Sequence, residues 1–313
     1  MNLLSTLTRP EYVFRPTQII RRLLCELPGP RDKYETVRLP WGSEIRIWPG
    51  EVQGSCIRRL GIHDLETNEV IWRLLDPGEC AVDIGANIGH MTNPMAVKVG
   101  SRGKVLAAEP HPGLFQELEY NANSWRRIKN LGSITTRRVA LSNSNGKAQL
   151  TVPPGFGKNR GISFLVADGP SSIEGALSYE VAVTTLDTWL GADGAIGLLK
   201  IDVEGHEVQV LEGAAGLMSQ GRIRDIVFEE HNPPPTPVTK LLEANGYSVF
   251  HLDGGLLGPI LAPIRAPYTR KIKDAPNYLA TRDPQRAAAR IAKKGWGVYS
   301  FGPFSLGWPR SSS

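Results

Sequence analysis

Ala81-Val82-Asp83-Ile84-Gly85-Ala86-Asn87-Ile88-Gly89 is an apolar run that ends on an acid and turns at once through two glycines. With Cys80 ahead of it, the run predicts a strand buried on both faces, as in a parallel sheet covered by helices. Glycines after the strand let the loop bring its backbone N–H groups close to a ligand. That is the form of a nucleotide pocket. The dinucleotide fingerprint wants G-x-G-x-x-G, whereas Asn87 stands at the second glycine position here, which disfavours a nicotinamide cofactor.

Working outward, Val70, Ile71, Leu74 and Leu75 recur at helical spacing before the strand, and Asp76-Pro77-Gly78 stops that helix. After Gly89 a helix is expected with Asn93 as its cap and Pro94 in its first position. A second buried strand, residues 105–108, closes on Glu109-Pro110. An acid at the carboxyl end of the second strand of such a sheet is placed to accept hydrogen bonds from both hydroxyls of a ribose. Residues 134–140 read as a third strand, and Asn145-Gly146 as a two-residue turn. Residues 153–178 are rich in Gly, Pro and Ser but hold Phe156, Phe164 and Leu165, and are read as a mobile cover over the substrate. Thr185-Leu186-Asp187 opens another helix. Residues 196–202 form a fourth strand that runs into Val203-Glu204-Gly205-His206-Glu207, and one helix carrying Val208, Leu211, Ala215 and Met218 follows. A fifth strand, residues 225–230, ends in Glu229-Glu230-His231-Asn232; two more, 248–252 and 277–281, bracket a Gly/Pro-rich connection. The class is α/β, with its ligand outside the carboxyl ends of the strands.

A chain of 313 residues with 41% hydrophobic and 21% charged residues has enough apolar surface for a large core, which excludes disorder. The net charge of +5 is local: residues 253–313 hold ten Lys/Arg against three Asp/Glu, leaving the remainder slightly acidic. The three cysteines, Cys25, Cys56 and Cys80, are scattered without metal spacing and suit reduced thiols in a cytoplasm. No run is long enough for a membrane span. The organisation expected is an N-terminal amphipathic arm and small β-hairpin over residues 1–62, a catalytic domain over 63–283, and a basic helix and tail over 284–313. The arm is read as packing on its own domain or on a second subunit, and in the second case it is the contact of a homo-oligomer.

The blocks Val82 to Gly89, Glu109-Pro110, Ala140-Leu141-Ser142, Thr185-Leu186-Asp187, and Lys200-Ile201-Asp202-Val203-Glu204-Gly205-His206-Glu207 with Leu211-Glu212-Gly213-Ala214 together resemble the FkbM family of S-adenosylmethionine-dependent methyltransferases. The resemblance runs from about residue 65 to 231 and departs at His206, where the family frequently has a small residue, and at Pro94. It implies a class I, Rossmann-like sheet of about seven mostly parallel strands with helices on both faces, and transfer of the cofactor's methyl group to an oxygen of a sugar, glycan or polyketide. On that reading Asp83, Gly85, Ala86, Asn87, Gly89 and Glu109 serve S-adenosyl-L-methionine. Asp202, Glu204 and His206 form the acceptor side, where the glycine between the last two lets them converge. His206 and His231 are the candidate bases, since imidazole titrates near operating pH. Asp202 with Glu230 and Asn232 is an alternative oxygen site for Mg²⁺. Three rival readings stay open: a nicotinamide oxidoreductase, weakened by Asn87, a sheet kept without catalysis, and nucleic-acid binding by Arg286, Arg290, Lys293, Lys294 and Trp296.

Overall fold

The computed structural model describes residues 9–20, 33–166, 173–191, 194–264 and 276–300. Most of the predicted N-terminal arm, Cys25, part of the predicted cover and the end of the tail lie outside them.

In chain order the strands are β1 (Glu35–Arg38), β2 (Glu44–Ile47), β3 (Cys80–Ile84), β4 (Lys104–Ala108), β5 (Ser133–Arg137), β6 (Ala140–Leu141), β7 (Gly146–Val152), β8 (Phe164–Val166), β9 (Leu177–Thr184), β10 (Ile196–Ile201), β11 (Ile223–Glu229), β12 (Ser248–Gly255), β13 (Gly258–Pro263) and β14 (Asn277–Thr281). Eight of them form one sheet in the order β13-β12-β14-β11-β10-β3-β4-β5. The run from β11 to β5 is parallel, and β14, β12 and β13 continue it antiparallel. The seven expected strands become eight because the Gly/Pro-rich connection itself contributes β13, paired to β12.

Alternation along the central strands explains why both faces need helices. Ala81, Leu198 and Val227 join the core on one face, while Val82, Leu199 and Ile226 join the core on the other. Helices Leu65–Leu74, Thr92–Val99 and Pro112–Trp125 cover the first face through Leu74, Met95 and Trp125. Helices Leu186–Leu190, Glu207–Glu212, Ala215–Ser219 and Pro237–Ala244 cover the second. The single helix expected after β10 is two, broken at Gly213, where a Cβ would run into the Ser142 carbonyl oxygen.

Three sequence expectations are corrected. Asn93 does not cap its helix: it lies in the helix Thr92–Val99, buried, and its Oδ1 accepts from Trp41 Nε1 at 2.6 Å. Pro94 still sits in the first turn, where its missing N–H costs no intrahelical bond. The expected third strand splits into β5, in the main sheet, and β6, in a second sheet ordered β6-β9-β7-β8. Asn145-Gly146 is no hairpin turn, because β7 pairs with β9 rather than β6; instead Asn145 Oδ1 accepts from Thr184 Oγ1 and Thr185 N at 2.9 and 3.1 Å.

Val37, Ile45, Ile47 and Ile57 before residue 62, and Ala287, Ile291 and Trp296 after 283, share one buried cluster with Val70 and Leu74. The basic helix Pro284–Ile291 is stitched down: Arg286 pairs with Asp225 at 3.1 Å and Asp76 at 3.0 Å, and Arg290 with Asp76 at 2.8 Å. Those two arginines are therefore spent on the fold rather than offered to phosphates. Among the described residues no helix is long and apolar enough to cross a membrane.

Candidate active site

The loop after β3 is built by its neighbours. Gly85 has φ +74°, and a Cβ there would strike the Asp202 carbonyl oxygen, so the glycine is required by the close passage of the chain leaving β10. The N–H groups of Gly85 and Ala86 donate to Ala108 O at 3.0 and 2.9 Å, and that of Asn87 donates to Glu109 Oε2 at 2.9 Å. The expected display of free N–H groups to a ligand is thus absent at these three residues, since the loop spends them on β4. Gly89 is a packing glycine: a Cβ would meet Leu118 and Trp125 at 2.8 and 2.9 Å, and the residue lines no cavity described here.

Asp83 is fully buried and lines no cavity either. Its Oδ2 accepts from Thr92 Oγ1 at 2.5 Å, and its Oδ1 lies 3.3 Å from Lys200 Nζ. Lys200 is a site residue that sequence reasoning passed over. Its ammonium donates to Gly85 O at 3.0 Å and lies 3.2 Å from Asp202 Oδ2, so one buried cation ties β3, its loop and the end of β10 together. Burial opposes its charge, but Asp202 and Asp83 outweigh burial and hold the lysine protonated above its usual range. The signal was present: a lysine inside an otherwise apolar strand needs a buried carboxylate. Glu109 is also buried, accepts from His111 N at 2.9 Å as well as from Asn87, and is pushed up to about 7 by desolvation against those two bonds.

Two cavities open at the carboxyl ends of the strands. The smaller, about 60 Å³, is a slot lined by Asn87, Glu109, Val139, Leu141, Leu150 and Phe164 among others. The larger, about 800 Å³, is a cleft whose wall includes Ala86, His63, Asp64, Lys200, Glu229 and Asn277. Gly85, Asn87, Gly161, Asp202 and Glu204 line both, so they form the partition. Part of the stretch expected to cover the substrate stands at this partition. Val52 N donates to Lys158 O at 2.9 Å, Phe156 stacks on His111 at 4.6 Å, and Arg160 pairs with Glu117.

Of the predicted acceptor residues, Asp202 and Glu204 come together and His206 does not join them. Glu204 takes φ +53° and Gly205 φ +91°, so the chain reverses between positions 204 and 206. Glu204 lines both cavities, whereas His206 lines neither and places Nε2 2.9 Å from Ser142 Oγ, with burial lowering its pKa. His206 is thus a structural hydrogen-bonder at a helix start. His231 also lines neither cavity; it is half exposed, with Nε2 3.7 Å from Glu204 Oε2. The Glu204 carboxyl is pushed up to about 7 by burial and then by Asp202, with His231 opposing. Glu230 turns back on Asn232 N at 2.9 Å, and Glu229 faces the cleft instead. Among the described residues no group of three or more His, Cys, Asp or Glu is placed to hold a metal ion.

The arrangement pairs a slot that has apolar walls, Arg160 and the carboxylates of Glu109, Asp202 and Glu204 with a wider cleft. A family model described as the methyltransferase FkbM domain matches residues 83–249. The chain is 27% identical over 226 residues to the hexuronic acid methyltransferase AglP of Haloferax volcanii, spanning 70% of this chain and 79% of that one. It is 29% identical over 262 residues to the 31-O-demethyl-FK506 methyltransferase FkbM of Streptomyces tacrolimicus, spanning 70% and 90%. Among solved structures, a methyltransferase FkbM from Methylobacillus flagellatus overlaps at a TM-score of 0.42 with 14% identity, over 67% of this chain and 47% of that one. An O-methyltransferase from Thermotoga maritima overlaps at 0.41 with 15% identity, over 79% and 77%.

Proposed function

We propose that this chain, which belongs to the FkbM family of S-adenosylmethionine-dependent methyltransferases, methylates a hydroxyl oxygen of an acceptor seated in the larger cleft. The observation that carries the reading is the partition: Asp202 and Glu204 are the carboxylates that line both cavities. On this reading the slot receives the nucleoside end of the cofactor. The Glu109 carboxylate uses one oxygen for each of its two backbone donors, leaving a lone pair on each for ribose hydroxyls. Val139, Leu141 and Leu150 supply apolar walls for a flat base. One relative's name records an O-demethylated acceptor, which agrees with oxygen as the receiving atom.

When bound, the cofactor supplies an electrophilic methyl group on a cationic sulfur. Asp202 and Glu204 would hold the acceptor at the wall between the two cavities, and Glu204 would take the hydroxyl proton as the acceptor oxygen receives that methyl group. A carboxyl raised to about 7 is matched to that task near neutral pH. His231, 3.7 Å from Glu204 and half exposed, passes the proton to solvent. Asp202, pinned by Lys200, keeps negative charge beside the transferring group, and Asp83 acts only by positioning Lys200 and Thr92. Much of the acceleration comes from holding the two reactants in line.

The test is transfer from isotopically labelled cofactor to pools of hydroxylated metabolites and glycans, with the labelled carbon located in the product. An O-methyl signal is expected. Label on nitrogen or carbon overturns the reading.

A further inference from the structure

Residues 153–163 join β7 to β8, and none of them is buried. Their two ends are held by the pairing of Thr151 with Phe164. Between those ends the segment folds on itself: Phe156 N donates to Pro153 O at 3.3 Å, and Lys158 N and Asn159 N donate to Gly155 O at 2.8 and 3.2 Å. Gly155 takes φ +96°, and a Cβ at Gly155 or Gly157 would meet nothing within 4 Å, so the turn is a small unit with open space around it. It is tied down at places far along the chain. The Phe156 ring stacks on His111 with centroids 4.6 Å apart, Lys158 O accepts from Val52 N at 2.9 Å, and Arg160 pairs with Glu117, which also accepts from the Tyr34 hydroxyl at 2.9 Å. A surface segment held in this way opens at far lower cost than the sheet beneath it.

This strap and the start of β8 supply one wall of the slot, through Arg160, Gly161, Ser163, Phe164 and Leu165. With the strap down the slot measures about 60 Å³. Sites for small molecules run to about 300 Å³ or more, so an adenine with its ribose does not enter until a wall moves. The facing elements are fixed by their own bonding. Gly85 N and Ala86 N donate to Ala108 O, Glu109 accepts from Asn87 N and His111 N, and Ala140 and Leu141 pair with Val183 and Thr184 of β9. The strap is the wall with the fewest such bonds to its neighbours, and it carries the glycines that let it swing.

Resting on the assignment of the slot to the cofactor, we propose that residues 153–163 are an autoinhibitory strap: lowered, and latched by Arg160 on Glu117 and by Phe156 on His111, it excludes the cofactor, and binding requires it to lift. Glu117 and Phe156 line neither cavity, so they act on the cofactor only through the strap. The latched form competes with the ligand, so each loss of latch strength raises the open fraction and tightens the apparent affinity. A segment that merely completed the cofactor site has the opposite sign, because loosening it weakens binding.

The test measures S-adenosylhomocysteine on the full chain at pH 7, with Kd from calorimetry and the two rate constants from a surface biosensor. Glu117→Gln and Phe156→Ala are each expected to raise the association rate constant by about threefold or more, the scale of one lost ion pair or ring stack. Kd should fall by the same factor, with the dissociation rate constant nearly unchanged. Phe156→Ala removes a side chain that is not buried, so it carries the test should Glu117→Gln fail to fold. Association that is unchanged or slower in Phe156→Ala, or a weaker Kd, overturns the strap. A wild-type chain that binds no S-adenosylhomocysteine, or a Glu109→Ala chain that binds it as tightly as wild type, sinks the assignment of the slot instead. Tight, Glu109-dependent binding that is indifferent to the latch sinks the strap alone.

Discussion

The slot and the cleft share a wall but are made in different ways. The slot is drawn mostly from one stretch of chain, from Ile84 through Leu165, with β3, β4 and the segments after them folding side by side. The cleft takes residues from Arg9 to Asn277, brought together only when the hairpin, the helices and the antiparallel edge have all packed. The slot is thus fixed by local strand and loop geometry, while the cleft is a product of the whole tertiary arrangement. Parts built from neighbouring units can be held in common by many chains, and parts assembled at long range can differ between them.

The largest effect that probes this contrast is expected at the tie between the two cavities. Lys200→Met leaves Asp83 buried without its cation and should cost about 3–5 kcal/mol of stability in urea unfolding, the loss typical of a broken buried pair. A near-wild-type midpoint would mean that the partition is not held by this charge.

Next comes Glu204. Replacement by Gln should lower turnover by about a hundredfold or more while leaving cofactor affinity nearly unchanged. The sign of the pH dependence follows from its role. A base must be ionised, so kcat/KM should rise with pH and level off above about 7, where the free carboxyl titrates. The kcat profile should rise at lower pH, because a bound cation favours the carboxylate. A flat profile in the wild-type enzyme removes Glu204 as the base.

On the slot side, Glu109→Ala should weaken cofactor binding by about 1–3 kcal/mol, the range for losing a charged hydrogen-bond partner, while the KM for acceptor stays nearly constant. Calorimetry showing equal cofactor affinity would take Glu109 out of the site. The smallest effect is expected at His206, where Ala removes a hydrogen bond to Ser142 and should cost about 1 kcal/mol of stability with turnover within a few-fold of wild type. A loss of a hundredfold there would return the base to His206 and break the division between partition and support.

Much of the fold was legible because burial on both faces writes itself into sequence. Strands β3 and β10 are fully buried and read as unbroken apolar runs, apart from Asp83 and Lys200, which pair with each other. The helix Val52–Leu60 went unread, as did β13. The helix starts from Glu51, which accepts from Gln53 N at 3.0 Å and from Gly54 N, an unusual cap to read from sequence. Strand β13 opens on Gly258-Pro259 and is held by pairing with β12 rather than by its own residue preferences.

The sequence by itself determined the α/β class, the order of the parallel strands' loops, Glu109 on the slot and the acids at the end of β10, because each depends on residues close together in the chain. Only the tertiary structure decided which of those acids face a ligand. A reversal of backbone at Glu204 and Gly205 turns His206 towards Ser142, Glu229 rather than Glu230 faces the cleft, and His63 and Asp64 arrive from more than a hundred residues upstream. Side-chain direction at a strand end depends on the packing of every segment around it, and no local pattern of residues encodes that.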